Sequence, residues 1–288
     1  MSGVRPAAAI VLAGVAATFY ALSTMYQALE ARQTPVESAL RSSILLRLVR
    51  RRTWVLGSAV GGVGWALQAV ALSFASVALV QPALGLGLVV MLLLATRILG
   101  EPIGPREVGA SLTVIAGVAV LGWAAPSHAD HFTGPGRVAI AVAGVAIVVA
   151  PRILRLVGHA GGLVTSVLSG LGWGWVGIGT SLVDRSLGHG HWLVAACWAA
   201  GTGVISWSSL VVGMSAYQVW PATRSWPVTF AIEMSAPAAV APLLTHGGVG
   251  PAGGIPFALA LAVTCAGAVV LGSSRRVAAV VAAPAAGV

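Results

Sequence analysis

Two charged side chains, Arg224 and Glu233, stand inside otherwise apolar sequence, both within AYQVWPATRSWPVTFAIE (216–233). A charge at the centre of a bilayer costs at least ~2.5–3.5 kcal/mol, so each asks for a reason. A carboxyl that is neutral in one conformation and charged in another can couple proton movement to solute movement. A guanidinium can hold an anionic group. Nine residues separate the two, about 900° of rotation, so a straight helix points them to opposite faces. Direct pairing is not expected, although Pro221 and Pro227 can bend the segment locally. The alternatives are a protonated Glu233 bonded across a helix interface and an Arg224 that snorkels to a headgroup or packs.

Uncharged groups could complete a polar cavity: Tyr20, Gln27, Gln68, Gln81, Trp173, Trp175, Ser206 and Tyr217. Taken singly, each can equally be glue between helices or an interfacial aromatic. Gln68 and Gln81 are the stronger candidates, because a lipid-facing amide would be left unsatisfied. His128, Asp130, His131, His189 and His191 fall on predicted outer loops. They could ligate metal or sense pH, but they lack a metal-ligand spacing, and ordinary polar loops are the favoured reading. Glu101 and Glu107 flank a predicted inner turn, where capping the next helix is the expected role. No nucleophile stands with a His and an acid, and there is no phosphate-binding loop. The chain is therefore not expected to be an enzyme or to need a cofactor.

The elements that must position these groups are membrane helices. Of 288 residues, 58% are apolar and 8% charged, against about 25% charged in soluble domains. Such a chain cannot clothe a soluble surface. The net charge of +9 would suggest nucleic acid on a soluble protein; here it reads as topology. All the basic residues are Arg, which with the Ala, Gly and Val content suggests a bacterial source. Cys197 and Cys265 both lie in apolar runs, so no disulfide framework is expected. Apolar stretches predict spans at 6–29, 54–73, 75–99, 106–124, 137–157, 160–183, 192–214, 216–245 and 254–272. Span 137–157 is the shortest in uninterrupted apolar sequence, being broken by Pro151, Arg152 and Arg155. Counting it puts Arg32, Arg41, Arg47, Arg50, Arg51, Arg52, Arg97, Arg106, Arg152, Arg155, Arg275 and Arg276 inside. Only Arg5, Arg137 and Arg185 then lie outside. The positive-inside rule thus favours nine helices, with the N-terminus outside and the C-terminus inside the cytoplasmic membrane. Segment 36–52 is too charged to span. Val36, Leu40, Ile44 and Leu48 recur every four residues between arginines, predicting a short helix on the inner leaflet, with a solvated basic loop as the alternative.

The chain also repeats itself. AGVAVLG (116–122) matches AGAVVLG (266–272), and Ile103-Gly104-Pro105 matches Val249-Gly250-Pro251 before the same helix. Trp65 and Ser73 are spaced like Trp207 and Ser215, and Glu30 and Asp184 each close a comparable helix. The expected fold is all-α and polytopic, with two four-helix repeats joined by a linker helix. Residues 1–124 form the first repeat and 125–159 an outer loop with linker 137–157. Residues 160–288 form the second repeat and a short tail. Five spans separate equivalent helices, so the second copy is inverted, an arrangement that suits alternating access.

LVQPALGLGLVVMLLLATRILGEPIGPREVGASLTVIAGVAVLG, with Leu99-Gly100-Glu101 before a Gly-rich helix, resembles the end of an EamA-type repeat of the drug/metabolite transporter superfamily. Ile232-Glu233 is similar to the Leu-Glu-Pro of the second repeat, with Met234 where that family has proline. The second copy also departs in reading Thr245-His246-Gly247. The nine-span layout and VVAPR (148–152) look closer to a NIPA-like branch, which implies magnesium transport. The resemblance implies secondary transport of a small metabolite or drug-like solute, with proton coupling through Glu233 as a candidate mode. Mg²⁺ prefers several carboxylates or carbonyls with retained water, which one mid-membrane Glu beside an Arg supplies poorly. A divalent-cation pathway and a non-transporting membrane scaffold or lipid-handling subunit are the alternatives. The partners expected are the bilayer and the solute, with a homodimer allowed for.

Overall fold

The computed structural model describes residues 4–74, 77–99, 104–124, 132–158, 161–244 and 254–273. Among these the chain is helical, with short connections and no strand. The helices are α1 (Val4–Arg32), α2 (Ser43–Leu48), α3 (Arg52–Phe74), α4 (Val77–Leu94, continued by a π-turn over Ala95–Leu99), α5 (Pro105–Ala124), α6 (Gly134–Val157), α7 (Gly162–Gly188), α8 (Trp192–Val219), α9 (Ala222–Leu244) and α10 (Gly254–Ser273). Ala7–Arg32, Arg52–Ala71, Gly134–Val157, Gly162–Gly188 and Trp192–Val219 are long and apolar enough to cross a membrane. Ala83–Ile98 and Gly254–Gly267 are shorter apolar helices.

The surface is apolar and part of the interior is not. Leu193 is 85% and Leu156 82% exposed, and Val11, Trp65, Val138 and Val142 also face outward, whereas Ser111, Thr165, Ser166, Ser209 and Thr264 are buried. Water would penalise that outward face, and hydrocarbon does not. The buried hydroxyls satisfy themselves largely on their own helix, as Ser209 Oγ does on Ile205 O and Thr264 Oγ1 on Ala260 O. This is the make-up of an α-helical membrane protein.

Helix α6 runs through Pro151, Arg152 and Arg155 without a break. Thr133 caps it by accepting from Gly136 N at 2.8 Å, and Gly158 (φ 74°) closes it in the left-handed conformation. The expected span 216–245 is corrected. Helix α8 continues to Val219, and α9 starts only at Ala222. Trp220, immediately before Pro221, is extended (φ −139°, ψ 145°), as sterics before proline demand.

Segment 36–52 is corrected too. It holds a short 3-10 turn over Val36–Ser38 and the six-residue α2, and its apolar face meets protein, not lipid. Leu40, Ile44, Leu45 and Leu48 are buried, while Val36 is exposed. Ile44, Leu45 and Leu48 share a core with Met25, Ala28, Trp54, Met91 and Met214. Polar clasps secure the segment to α8. Gln218 Nε2 donates to Thr34 Oγ1 at 2.7 Å and to the carbonyls of Thr34 and Pro35. Leu40 N donates to Ser215 Oγ at 2.8 Å. At its far end, Arg51 bonds Glu30 at 2.9 Å.

Helix α1 lies along α3 and α4, and α4 along α5; likewise α7 lies along α8 and α9, and α9 along α10. Helices α5 and α10 then pack on each other. Their contact is reciprocal: a Cβ on Gly117 would collide with Thr264, and one on Gly267 with Val114. Position 117 thus meets 264 while 114 meets 267, so the two helices run antiparallel.

Candidate functional site

Tyr20 sits on a helix lined with small residues. Ala13, Ala16, Ala17 and Ala21 of α1 are completely or almost completely buried, which lets α3 and α4 approach closely. The approach brings Gln68 of α3 to Tyr20, whose hydroxyl donates to Gln68 Oε1 at 2.6 Å. Glu233 of α9 lies near enough to act electrostatically on that hydroxyl. On its other side α9 is drawn against α7, where a Cβ on Gly174 would stand 2.9 Å from the Glu233 carbonyl oxygen. A phenol and an amide from α1 and α3 therefore form one polar pair, with the Glu233 carboxyl of α9 in its electrostatic neighbourhood. Glu233 can hold or release a proton. Tyr20 can pass a hydrogen bond on, and the Gln68 amide nitrogen can donate to a solute.

Around the pair, Trp226 of α9 packs against Gly87 of α4 and lies 6.4 Å from the Phe230 ring. Ser166 of α7 and Ser225 of α9 share a buried hydrogen bond of 2.8 Å, and Thr229 Oγ1 donates to Ser166 O at 3.1 Å. These α7–α9 clasps and the Trp226 contact help to seat α9, the helix that carries Glu233, and sequence reasoning did not single them out. Trp226, between Arg224 and Pro227, carried the one readable signal, an aromatic inside a polar, proline-flanked stretch.

Arg224 stands at the start of a helix, not within one. The break at Trp220–Pro221 puts it in the first turn of α9, buried, with its guanidinium 6.0 Å from the Trp220 ring centroid. A cation is disfavoured at the positive end of a helix dipole, and the indole face offsets part of that cost. Along α9 it lies about 13.5 Å from Glu233 and on the opposite side of the helix. The structure does not bring it to the Tyr20–Gln68 pair.

The other candidates are spread through the bundle. Trp175 Nε1 donates to Ile140 O at 2.9 Å and so ties α7 to α6. Ser206 bonds Thr202 O within its own helix. Gln27 bonds Ser23 and Ser58, a junction of α1 with α3. Tyr217 is buried in the core that holds α2. Trp173 is half-buried on α7, one residue before Gly174. Gln81 falls on α4, and its side chain lies outside the described residues. His128, Asp130, His131 and Glu101 also lie outside them. His189 and His191 are exposed and stacked 6.5 Å apart, with His189 Nδ1 2.8 Å from Arg185 O at the end of α7. Among the described residues no three His, Cys, Asp or Glu side chains gather as a metal group. Glu107 Oε2 accepts from Gly104 N at 2.9 Å and so caps α5.

An uncharacterized protein of Corynebacterium glutamicum is similar to part of the chain, 32% identical over 115 residues. The match spans 39% of this chain and 40% of that protein. No protein-family model matches the chain, and neither does a solved structure.

Proposed function

We propose that the chain is a secondary transporter of a small solute, built as two inverted four-helix repeats in the cytoplasmic membrane. In this reading α1, α3, α4 and α5 form one copy, α7, α8, α9 and α10 the other, and α6 links them across nine spans. The N-terminus is outside and the C-terminus inside. The family resemblance is to the drug/metabolite transporter superfamily. Support comes from the order of helix packing, which is the same in both halves, and from the antiparallel pair α5/α10. With the repeat aligned on 116–122 and 266–272, Gly117 corresponds to Gly267 and Val114 to Thr264. The reciprocal contacts are then those a pseudo-two-fold axis produces.

The observation that carries the transport reading is the Tyr20–Gln68 hydrogen bond of one copy, with Glu233 of the other copy's α9 within electrostatic reach of it. A solute bound there would be released on either side as one copy rocks against the other. Glu233 is assigned the coupling proton. The test uses proteoliposomes loaded with a pH-sensitive dye and challenged with a panel of amino acids, amines, sugars and Mg²⁺. Wild type should acidify or alkalinise the lumen with at least one solute. Glu233→Gln preserves shape and should still bind that solute but lose accumulation driven by a pH gradient. A variant that accumulates every transported solute as wild type does would sink the coupling role.

A further inference from the structure

Arg41, Arg152 and Arg155 line one cavity of about 550 Å³ together with Leu40, Ser42 and Ser43. The volume falls in the roughly 300–1,000 Å³ typical of small-molecule sites. Arg152 and Arg155 are three residues apart on α6 and so share a face of that helix. Arg41 comes from the segment before α2. What brings it there is the preceding residue: Leu40 holds a strained left-handed backbone (φ 55°). Its N–H is tied to Ser215 Oγ, and its side chain packs with Leu168, Val212 and Leu154. The loop is thus fixed against the end of α6.

Three guanidiniums and two hydroxyls line the cavity, and no carboxylate does. Among the described residues none of the three guanidinium groups has an ion-pair or hydrogen-bond partner. Like charges gathered this way repel unless an anion joins them, and guanidinium forks match phosphate oxygens. We propose that this cavity binds a phosphate group, supplied by the headgroup of an anionic phospholipid. A free phosphate ester would present the same oxygens. The lipid is favoured because Ile153 and Leu156, beside the two α6 arginines, are exposed, Leu156 at 82%. They continue onto an outward face carrying Val138, Val142 and Val145, along which an acyl chain would lie. The site is separate from the Tyr20–Gln68 pair and does not depend on the transport reading.

The test is native mass spectrometry of the full chain in detergent with dioleoylphosphatidylglycerol, dioleoylphosphatidylcholine or inorganic phosphate. Phosphatidylglycerol should be retained at one site, and Arg152→Gln/Arg155→Gln should weaken it by about ten-fold, the scale of a lost charged hydrogen bond. Arg47→Gln/Arg50→Gln removes equal charge outside the cavity and should cost less than about two-fold. Should the α6 double variant fail to fold, Arg41→Gln against Arg47→Gln makes the same comparison. Equal losses in cavity and control variants would overturn the site, as would equal retention of phosphatidylcholine. Displacement of the lipid by inorganic phosphate, sensitive to the same arginines, would overturn the lipid assignment and leave a soluble phosphate ester as the ligand.

Discussion

Tyr20→Phe removes one hydroxyl and nothing else, and its cost can be worked from the geometry. At 2.6 Å the bond to Gln68 Oε1 is short, neutral and part-buried. Side-chain hydrogen bonds between membrane helices average about 0.6 kcal/mol and reach about 1.7. In the single variant Gln68 Oε1 loses its donor, which adds part of a desolvation penalty of ~1–3 kcal/mol. A loss near 1.5 kcal/mol follows, roughly a ten-fold change in the unfolding constant. Gln68→Leu strands the phenol instead. The double variant Tyr20→Phe/Gln68→Leu leaves neither group unpaired and should be less destabilised than the two singles added together. The coupling from that cycle should be about 0.6–1.7 kcal/mol, measured by reversible unfolding in mixed micelles. Strict additivity would refute the pairing of α1 with α3 through these groups, and with it the site as described.

Three further outcomes are expected. Gly117→Leu and Gly267→Leu should each destabilise by about 1–3 kcal/mol through overpacking at the α5/α10 crossing, read as a lower melting temperature in detergent; parent-like stability in either would contradict the reciprocal contact. Gln218→Ala should open segment 34–41 and speed tryptic cleavage after Arg41 by roughly 5- to 30-fold, for a loss of one to two kcal/mol; unchanged cleavage would show that the amide is not what holds the segment. In a background lacking Cys197 and Cys265, Ser127→Cys should label from outside the cell and Ser274→Cys only after permeabilisation, and labelling of both from one side would remove the inverted arrangement.

Apolar length located the helices well, because a stretch that must cross hydrocarbon has few other ways to satisfy its backbone. It failed at Ala216, where no polar residue marks the end of a span. The marker was Trp220–Pro221, a local steric signal that hydropathy does not register. Of the four-residue stripe of Val36, Leu40, Ile44 and Leu48, the last three are buried, but periodicity is silent on what does the burying: the partner is α8 and its neighbours, where the inner leaflet was expected. For the candidate site, residue type was legible and partnership was not. Tyr20 and Gln68 lie far apart in sequence and meet only because α1 is lined with alanine. Arg224 changed meaning with a shift of a few residues in a helix boundary. Arg152 and Arg155 entered the sequence reading only as topology markers, since nothing local to them points to Arg41.

The grip of Gln218, Ser215 and Met214 on the stretch between α1 and α3 has a mechanical consequence. Trp54 Nε1 reaches Met214 Sδ at 3.4 Å, and Trp207 Nε1 reaches Ser42 Oγ at 3.3 Å, so the hold extends along three turns of α8. A connector fastened at so many points is a poor hinge, and it ties the first half of the chain to α8. The backbone between α8 and α9 changes direction at Trp220–Pro221 instead, where the helical ladder is interrupted.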